Sequence, residues 1–176
     1  MRDGRDAVLS HRFQSFIDAT QHLAPEDLKL RKAFIENPEP FLRGERSVFT
    51  PKGIHQAAVG WVRNIYETNK TGNELFKEKY RSMKFEDLTL QPVQEMLGVW
   101  SFLGADVTLP ELPDLLTKEF NQNPDADWQH KKASQIAQSL QKGKSGSWRE
   151  MFTLHDRQVF HEIAGDTLQQ WGYSSE

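Results

Sequence analysis

A glycine- and lysine-rich stretch near the carboxyl end of the chain has the composition of an anion-binding loop. It runs Lys142-Gly143-Lys144-Ser145-Gly146-Ser147 and leads into Trp148, where a helix could begin. Glycines let backbone N–H groups approach a phosphate, lysines add positive charge, and a following helix adds its dipole. The same composition is also typical of an exposed flexible connector. These residues alone leave both interpretations open.

The loop does not complete the P-loop pattern, G-x-x-x-x-G-K-[ST]. Gly143-Lys144-Ser145 matches the end of that pattern, but the first glycine would fall at position 138, which is Gln138. The spacing that lets a P-loop surround two phosphates is therefore absent here. This mismatch disfavours a nucleotide-binding enzyme of the P-loop type.

A second candidate anion site lies at the start of the chain. Arg2, Arg5 and Ser10 place two guanidinium groups and a hydroxyl around the predicted start of a helix, which suits a phosphate. In the alternative interpretation, the two arginines only form ion pairs with Asp3 and Asp6 on a solvated face. Asp6 is also the predicted N-cap of this helix.

Other reactive residue types give weaker signals. Ser10 and His11 are neighbours, so in a helix they point about 100° apart and cannot pair as a nucleophile with its base. His155 and His161 lack metal-ligand spacing, and we predict no metal site. Glu86-Asp87 could be a pair of acid/base carboxylates, although a turn or a helix cap is their commoner role. The sequence therefore predicts no catalytic residue.

Composition excludes several classes of protein. The chain has 176 residues, of which 37% are hydrophobic and 11% aromatic, enough for one globular domain with an aromatic-rich core. The absence of cysteine excludes disulfides, thiolate zinc sites and cysteine nucleophiles. A formal net charge of −3 gives no overall attraction to nucleic acid or to anionic membranes, so any anion site must be local. No apolar run is long enough for a membrane span, and we predict a cytoplasmic protein.

Apolar residues at helical spacing predict that most of the chain is α-helical. One predicted helix starts at Asp6, and others run from Pro25 to before Asn37, from Pro51 to Gly72 and from Pro92 to Gly104. A helix over 108–120 is predicted to be interrupted by Pro110 and Pro113. A polar helix is predicted over 125–140, and a last helix ends at Gly172. Residues 37–50 and 141–147 are predicted loops, and 80–85 a strand. Trp61 and Trp100 are predicted core residues. Such a chain fits either an independent all-α domain or the later part of a parallel α/β domain.

Three segments, in order and with similar spacing, resemble the sulfotransferases that use 3′-phosphoadenosine 5′-phosphosulfate (PAPS), especially the bacterial branch. Residues 2–10 resemble the family's R-D-x-R-D-x-x-x-S element at the end of a strand. Residues 85–104 resemble its Y-E-D-L…P…F-L-G segment, and residues 142–152 are similar to its R-K-G-x-x-G-x-W-[KR]…F loop. The resemblance covers nearly the whole chain.

The resemblance implies an α/β domain with a P-loop-like parallel sheet and flanking helices. Residues 1–176 would then be the carboxyl-terminal portion of that single domain, mostly helical with one or two strands. The resemblance also implies PAPS as the sulfuryl donor and a hydroxyl or amine of a small molecule or carbohydrate as the acceptor. In the family, the 5′-phosphosulfate loop and the catalytic base precede the first segment. We therefore expect the chain alone to be inactive and an upstream polypeptide to complement it.

Residue by residue, the resemblance implies a clamp for the 3′-phosphate of the donor. Arg2 and Ser10 would hold this phosphate, and Lys142 and Gly143 would approach it with charge and backbone. Gln141 occupies the position where the family usually has a second arginine, and it cannot supply a cation.

The resemblance also implies that Phe85 lies beside the adenine, where many relatives have a tyrosine. Phenylalanine keeps the apolar face of tyrosine but lacks its hydroxyl. Residues 37–50 and 105–125 are the candidates for the acceptor pocket, because variable loops usually form such pockets. The rival interpretation is a non-enzymatic, mostly helical interaction module in which residues 141–147 are only a connector.

Overall fold

The structure of the chain is a computed structural model that describes residues 1–121 and 145–174. The described residues form two compact units. The smaller unit holds Met1–Arg2 and residues 81–121, and the larger unit holds Asp3–Tyr80 and residues 145–174. The predicted helix over 125–140 lies outside the described residues.

All regular elements of the described residues are helices. In chain order the α-helices are α1 (Gly4–Asp18), α2 (Pro25–Glu36), α3 (Glu39–Leu42), α4 (Pro51–Phe76), α5 (Phe85–Leu90), α6 (Pro92–Phe102), α7 (Leu112–Asn121), α8 (Trp148–Met151) and α9 (Leu154–Gln170). Short 3-10 helices cover Thr20–His22 and Lys77–Lys79. Within this part of the chain no helix is both long and apolar enough to cross a membrane.

Local capping explains the start of α4, which the sequence predicted at Pro51, and the start of α9, which was not predicted. At the start of α4, the Thr50 hydroxyl accepts the Gly53 N–H at 3.0 Å, and Pro51 occupies the first turn, where its missing N–H costs nothing. At the start of α9, Thr153 and Asp156 form a reciprocal capping box. Both signals lie within four residues of the helix start, so they could be recognised in the sequence.

Helix α1 begins earlier than predicted, and its N-cap is Asp3 rather than Asp6. The Asp3 carboxylate accepts the Arg5 N–H at 3.0 Å, while Asp6 lies inside the first turn. Helix α4 ends later than predicted, because it continues through Gly72 to Phe76. A single glycine costs a helix only about 1 kcal/mol, and Gly72 is buried against the ring of Tyr80.

Two further predictions of regular structure were wrong in part. Residues 37–50 are not all loop, because they include the short helix α3. In the predicted helix over 108–120, helix α7 starts only at Leu112, after Pro110. Pro113 lies in the first turn of α7 and does not interrupt it.

The predicted strand over 80–85 is wrong. The backbone is extended at Tyr80 and at Lys84, but helix α5 begins at Phe85. The Met1 amino group donates to the Met83 carbonyl, and the Phe85 N–H donates to the Met1 carbonyl, which is the pattern of a parallel bridge. Pairing with one residue does not make a strand, because a ladder needs consecutive pairs.

The core of the larger unit is aromatic, as the composition predicted. Helix α4 packs against α9 and α1, and Trp61 on α4 is buried, with 8% exposed. Trp100 on α6, in the smaller unit, is only half-buried, so its prediction as a core residue was wrong. The buried rings of the larger unit are Phe13, Phe16, Phe34, Phe41, Phe49, Trp61, Trp148, Phe152 and Phe160. Their neighbouring centroids are 5.3 to 6.5 Å apart, within the range of favourable ring contacts.

Candidate functional site

The smaller unit brings together two of the predicted cofactor-binding residues, Arg2 and Phe85. The guanidinium carbon of Arg2 lies 5.0 Å from the centroid of the Phe85 ring, over its face. The hydrogen bonds of the Met1 backbone to Met83 and Phe85 hold the start of the chain beside α5. A cation and an aromatic face thus lie side by side, with Arg2 half-buried.

The structure describes one of the other four predicted cofactor residues. Ser10 belongs to α1 in the larger unit and is exposed. Gln141, Lys142 and Gly143 lie outside the described residues. Of the six predicted residues, the structure therefore pairs Arg2 with Phe85.

Arg5 has a different environment from Arg2, although only two residues separate them. It is buried, with 4% exposed, and its Nε and Nη2 atoms donate to the two Asp3 carboxylate oxygens at 3.0 and 2.8 Å. Its guanidinium also lies 3.7 Å from the centroid of the Trp148 ring. The ion pair of the alternative interpretation is thus present between Arg5 and Asp3, but it is buried and does not lie on a solvated face. Arg5 is committed to this contact and is not placed to bind a phosphate.

Asp6 connects α1 to the described end of the glycine-rich loop. Its Oδ2 accepts the Gly146 N–H at 2.6 Å, and its Oδ1 accepts the Trp148 N–H at 3.1 Å. The carboxylate is buried, with 2% of the residue exposed. Gly146 has a φ of 85°, in the left-handed region that favours glycine. Sequence reasoning missed this role, because no local pattern links residues that are 140 positions apart.

Trp148 lies among three guanidinium groups. Besides Arg5, Arg149 and Arg157 lie 4.7 and 5.7 Å from its ring centroid. The indole Nε1 is buried and has no hydrogen-bond partner among the described residues. Stacking with arginine therefore holds the ring.

Structural roles account for the candidate acid/base carboxylates Glu86 and Asp87, and also for Asp106. Glu86 and Asp87 lie in the first turn of α5, where negative charge is stabilised by the helix dipole. Asp106, a fully exposed residue in the turn before α7, accepts hydrogen bonds from the hydroxyl and the N–H of Thr108. These hydrogen bonds, the one from the hydroxyl more than the one from the N–H, lower the pKa of the Asp106 carboxyl.

Comparisons with known proteins give one match. No curated protein and no solved structure matches the chain. The family model of the sulfotransferase domain matches residues 1–172.

Proposed function

Because the chain belongs to the sulfotransferase domain family, we propose that it takes part in sulfuryl transfer from PAPS to a hydroxyl or amine of a small-molecule or carbohydrate acceptor. In this proposal, residues 1–176 are part of one α/β domain with a P-loop-like sheet. When bound, PAPS supplies the sulfuryl group. The residues of this chain bind and orient the 3′-phosphoadenosine end of that donor.

The observation that carries the proposal is the contact between Arg2 and Phe85. The 3′-phosphate of the donor lies on the ribose, close to the adenine. A site for this end of the donor therefore needs a cation next to an aromatic or apolar face. An arginine binds phosphate through two parallel N–H donors, and an aromatic ring stacks on a base. The distance of 5.0 Å between the Arg2 guanidinium and the Phe85 ring fits these two requirements.

We assign four further residues to the 3′-phosphate or its surroundings. Lys142 contributes charge, Gly143 contributes backbone N–H access, and the Ser10 hydroxyl donates a hydrogen bond. Gln141 contributes no charge where relatives usually have an arginine. The clamp of this chain therefore depends more heavily on Arg2 and Lys142.

Replacement of Lys142 by alanine tests this assignment. We expect the dissociation constant of adenosine 3′,5′-bisphosphate, the product form of the donor, to rise about tenfold, because a charge-assisted contact to phosphate contributes roughly 1.5 kcal/mol. Isothermal titration calorimetry measures this change. The assay measures binding alone and does not require sulfuryl transfer.

Lys52→Ala is the matched control, because it removes the same charge from an exposed position at the start of α4. We expect its dissociation constant to stay within about twofold of the wild-type value, because an exposed charge that does not contact the ligand is largely screened by salt. An equal loss in both variants would mean that net charge alone attracts the ligand. No binding by the wild-type chain, even with an upstream fragment added, would contradict the proposal and favour the helical interaction module.

A further inference from the structure

We infer that Arg81 is a positioning residue for Arg2. Arg81 fixes the segment 81–84 to helix α6, and this segment holds the Arg2 guanidinium beside the ring of Phe85. All these residues lie in the smaller unit. The inference rests on the proposed function, because it concerns the residue that we assign to the 3′-phosphate. Arg81 itself is given no contact with the ligand.

The Arg81 side chain attaches the segment 81–84 to α6 at two points. Its Nη1 donates to the backbone carbonyl of Gly98, and its Nη2 lies 3.8 Å from Oε2 of Glu95. The approach to the helix is close, since a Cβ atom at Gly98 would lie 3.0 Å from Nη2. Glu95 and Gly98 are three residues apart on α6 and therefore lie on the same side of it. A rigid, planar guanidinium that contacts both of them holds its own backbone in a defined position.

The backbone that follows Arg81 is hydrogen-bonded to the neighbour of Arg2. The Met1 nitrogen donates to the Met83 carbonyl, and the Phe85 N–H donates to the Met1 carbonyl, so both backbone polar groups of Met1 are held. The guanidinium carbon of Arg2 then lies 5.0 Å from the centroid of the Phe85 ring. Met83 follows Arg81 by two residues, so the chain allows it little movement away from the attachment to α6.

Phe85 has a support of its own, which does not involve Arg81. It is the first residue of α5, and α5 packs against α6. Loss of the Arg81 attachment should therefore displace the Arg2 guanidinium more than the ring of Phe85. A site with a displaced cation and an intact aromatic face loses affinity for the 3′-phosphate more than for the base.

The variant Arg81→Ala tests the inference with two ligands that differ only in the 3′-phosphate. Isothermal titration calorimetry on the full chain gives the dissociation constants of adenosine 3′,5′-bisphosphate and adenosine 5′-monophosphate. We expect the wild-type preference for the bisphosphate to fall about fivefold, because Arg2 must then be ordered when the ligand binds. An unchanged preference would overturn the inference.

A double variant, Arg2→Ala with Arg81→Ala, shows whether Arg81 acts through Arg2. If Arg81 only positions Arg2, its removal has no further effect once the Arg2 guanidinium is absent. We expect the preference of the double variant to lie within about twofold of that of Arg2→Ala alone. A further fall as large as that caused by Arg81→Ala in the wild type would overturn the inference, because Arg81 would then act on the ligand without Arg2.

Arg31→Ala is the matched control for charge and for stability. Arg31 also donates to a backbone carbonyl, from its Nε to Phe16 at 2.7 Å, and this bond joins α2 to α1 in the larger unit. We expect the control variant to melt at a lower temperature and to keep the wild-type preference for the bisphosphate. An equal loss of preference in Arg31→Ala would overturn the inference, because the removal of any structural arginine would then suffice.

If Arg81→Ala does not fold, Arg81→Met replaces it, because methionine keeps an unbranched side chain without N–H donors. The same fall in preference supports the positioning role of Arg81, and an unchanged preference overturns it. A wild-type chain without any preference for the bisphosphate contradicts the proposed function itself, which separates that failure from a failure of Arg81 alone.

Discussion

Replacement of Arg2 by alanine is expected to raise the dissociation constant of adenosine 3′,5′-bisphosphate about 30-fold, which corresponds to roughly 2 kcal/mol. Arginine can bind the phosphate through two parallel N–H donors, and the ring of Phe85 holds its guanidinium at 5.0 Å, so little conformational freedom is lost on binding. Gln141 cannot take over the missing charge. Calorimetric titration of the purified variant measures the effect.

The controls separate the loss of the phosphate contact from damage to the adenine site. The affinity for adenosine 5′-monophosphate should fall less than about threefold, because this ligand has no 3′-phosphate for Arg2 to bind. Arg2→Lys should lie between alanine and the wild type, since lysine keeps the charge without the planar fork. If Arg2→Ala weakens both nucleotides equally, Arg2 does not bind the 3′-phosphate.

The largest effect on stability is expected at Gly4, the central residue of the Arg-Asp-Gly-Arg-Asp segment. A Cβ atom at Gly4 would lie 2.5 to 2.8 Å from three atoms of the Trp61 indole, closer than real side chains approach. The indole is buried and cannot move aside, so α1 would have to shift against α4. We expect Gly4→Ala to lower the free energy of unfolding by about 2 kcal/mol or more, measured by urea denaturation.

Gly60→Ala is the matched control on α4, one residue before Trp61. A Cβ atom there would have no described atom within 4 Å, and the backbone is already helical. Alanine should therefore raise the free energy of unfolding by about 0.5 to 1 kcal/mol, because it lowers the entropy of the unfolded chain. Changes of the same sign in both variants would contradict the close approach of Gly4 to Trp61.

The parts of the fold that could be predicted depend on interactions between residues close in sequence. The start of α4 at Pro51, the start of α6 at Pro92 and the end of α9 before Gly172 all follow from caps and prolines within one turn. The predicted strand failed for the opposite reason. A strand requires a partner, and in the described residues Tyr80 to Lys84 pairs with a single residue, Met1.

The candidate site also has features that the sequence could predict and features that it could not. Sequence alone determined the family, because three segments share its residue types and order, and the family match over residues 1–172 confirms that resemblance. Sequence could not distinguish Arg2 from Arg5, which have the same chemistry in the same segment. The tertiary structure distinguishes them: Arg5 is buried between Asp3 and Trp148, whereas Arg2 lies over Phe85. The tertiary structure also shows that the Asp6 carboxylate accepts the backbone N–H groups of Gly146 and Trp148. A buried carboxylate binds the donors that the fold brings to it, however distant they are in sequence.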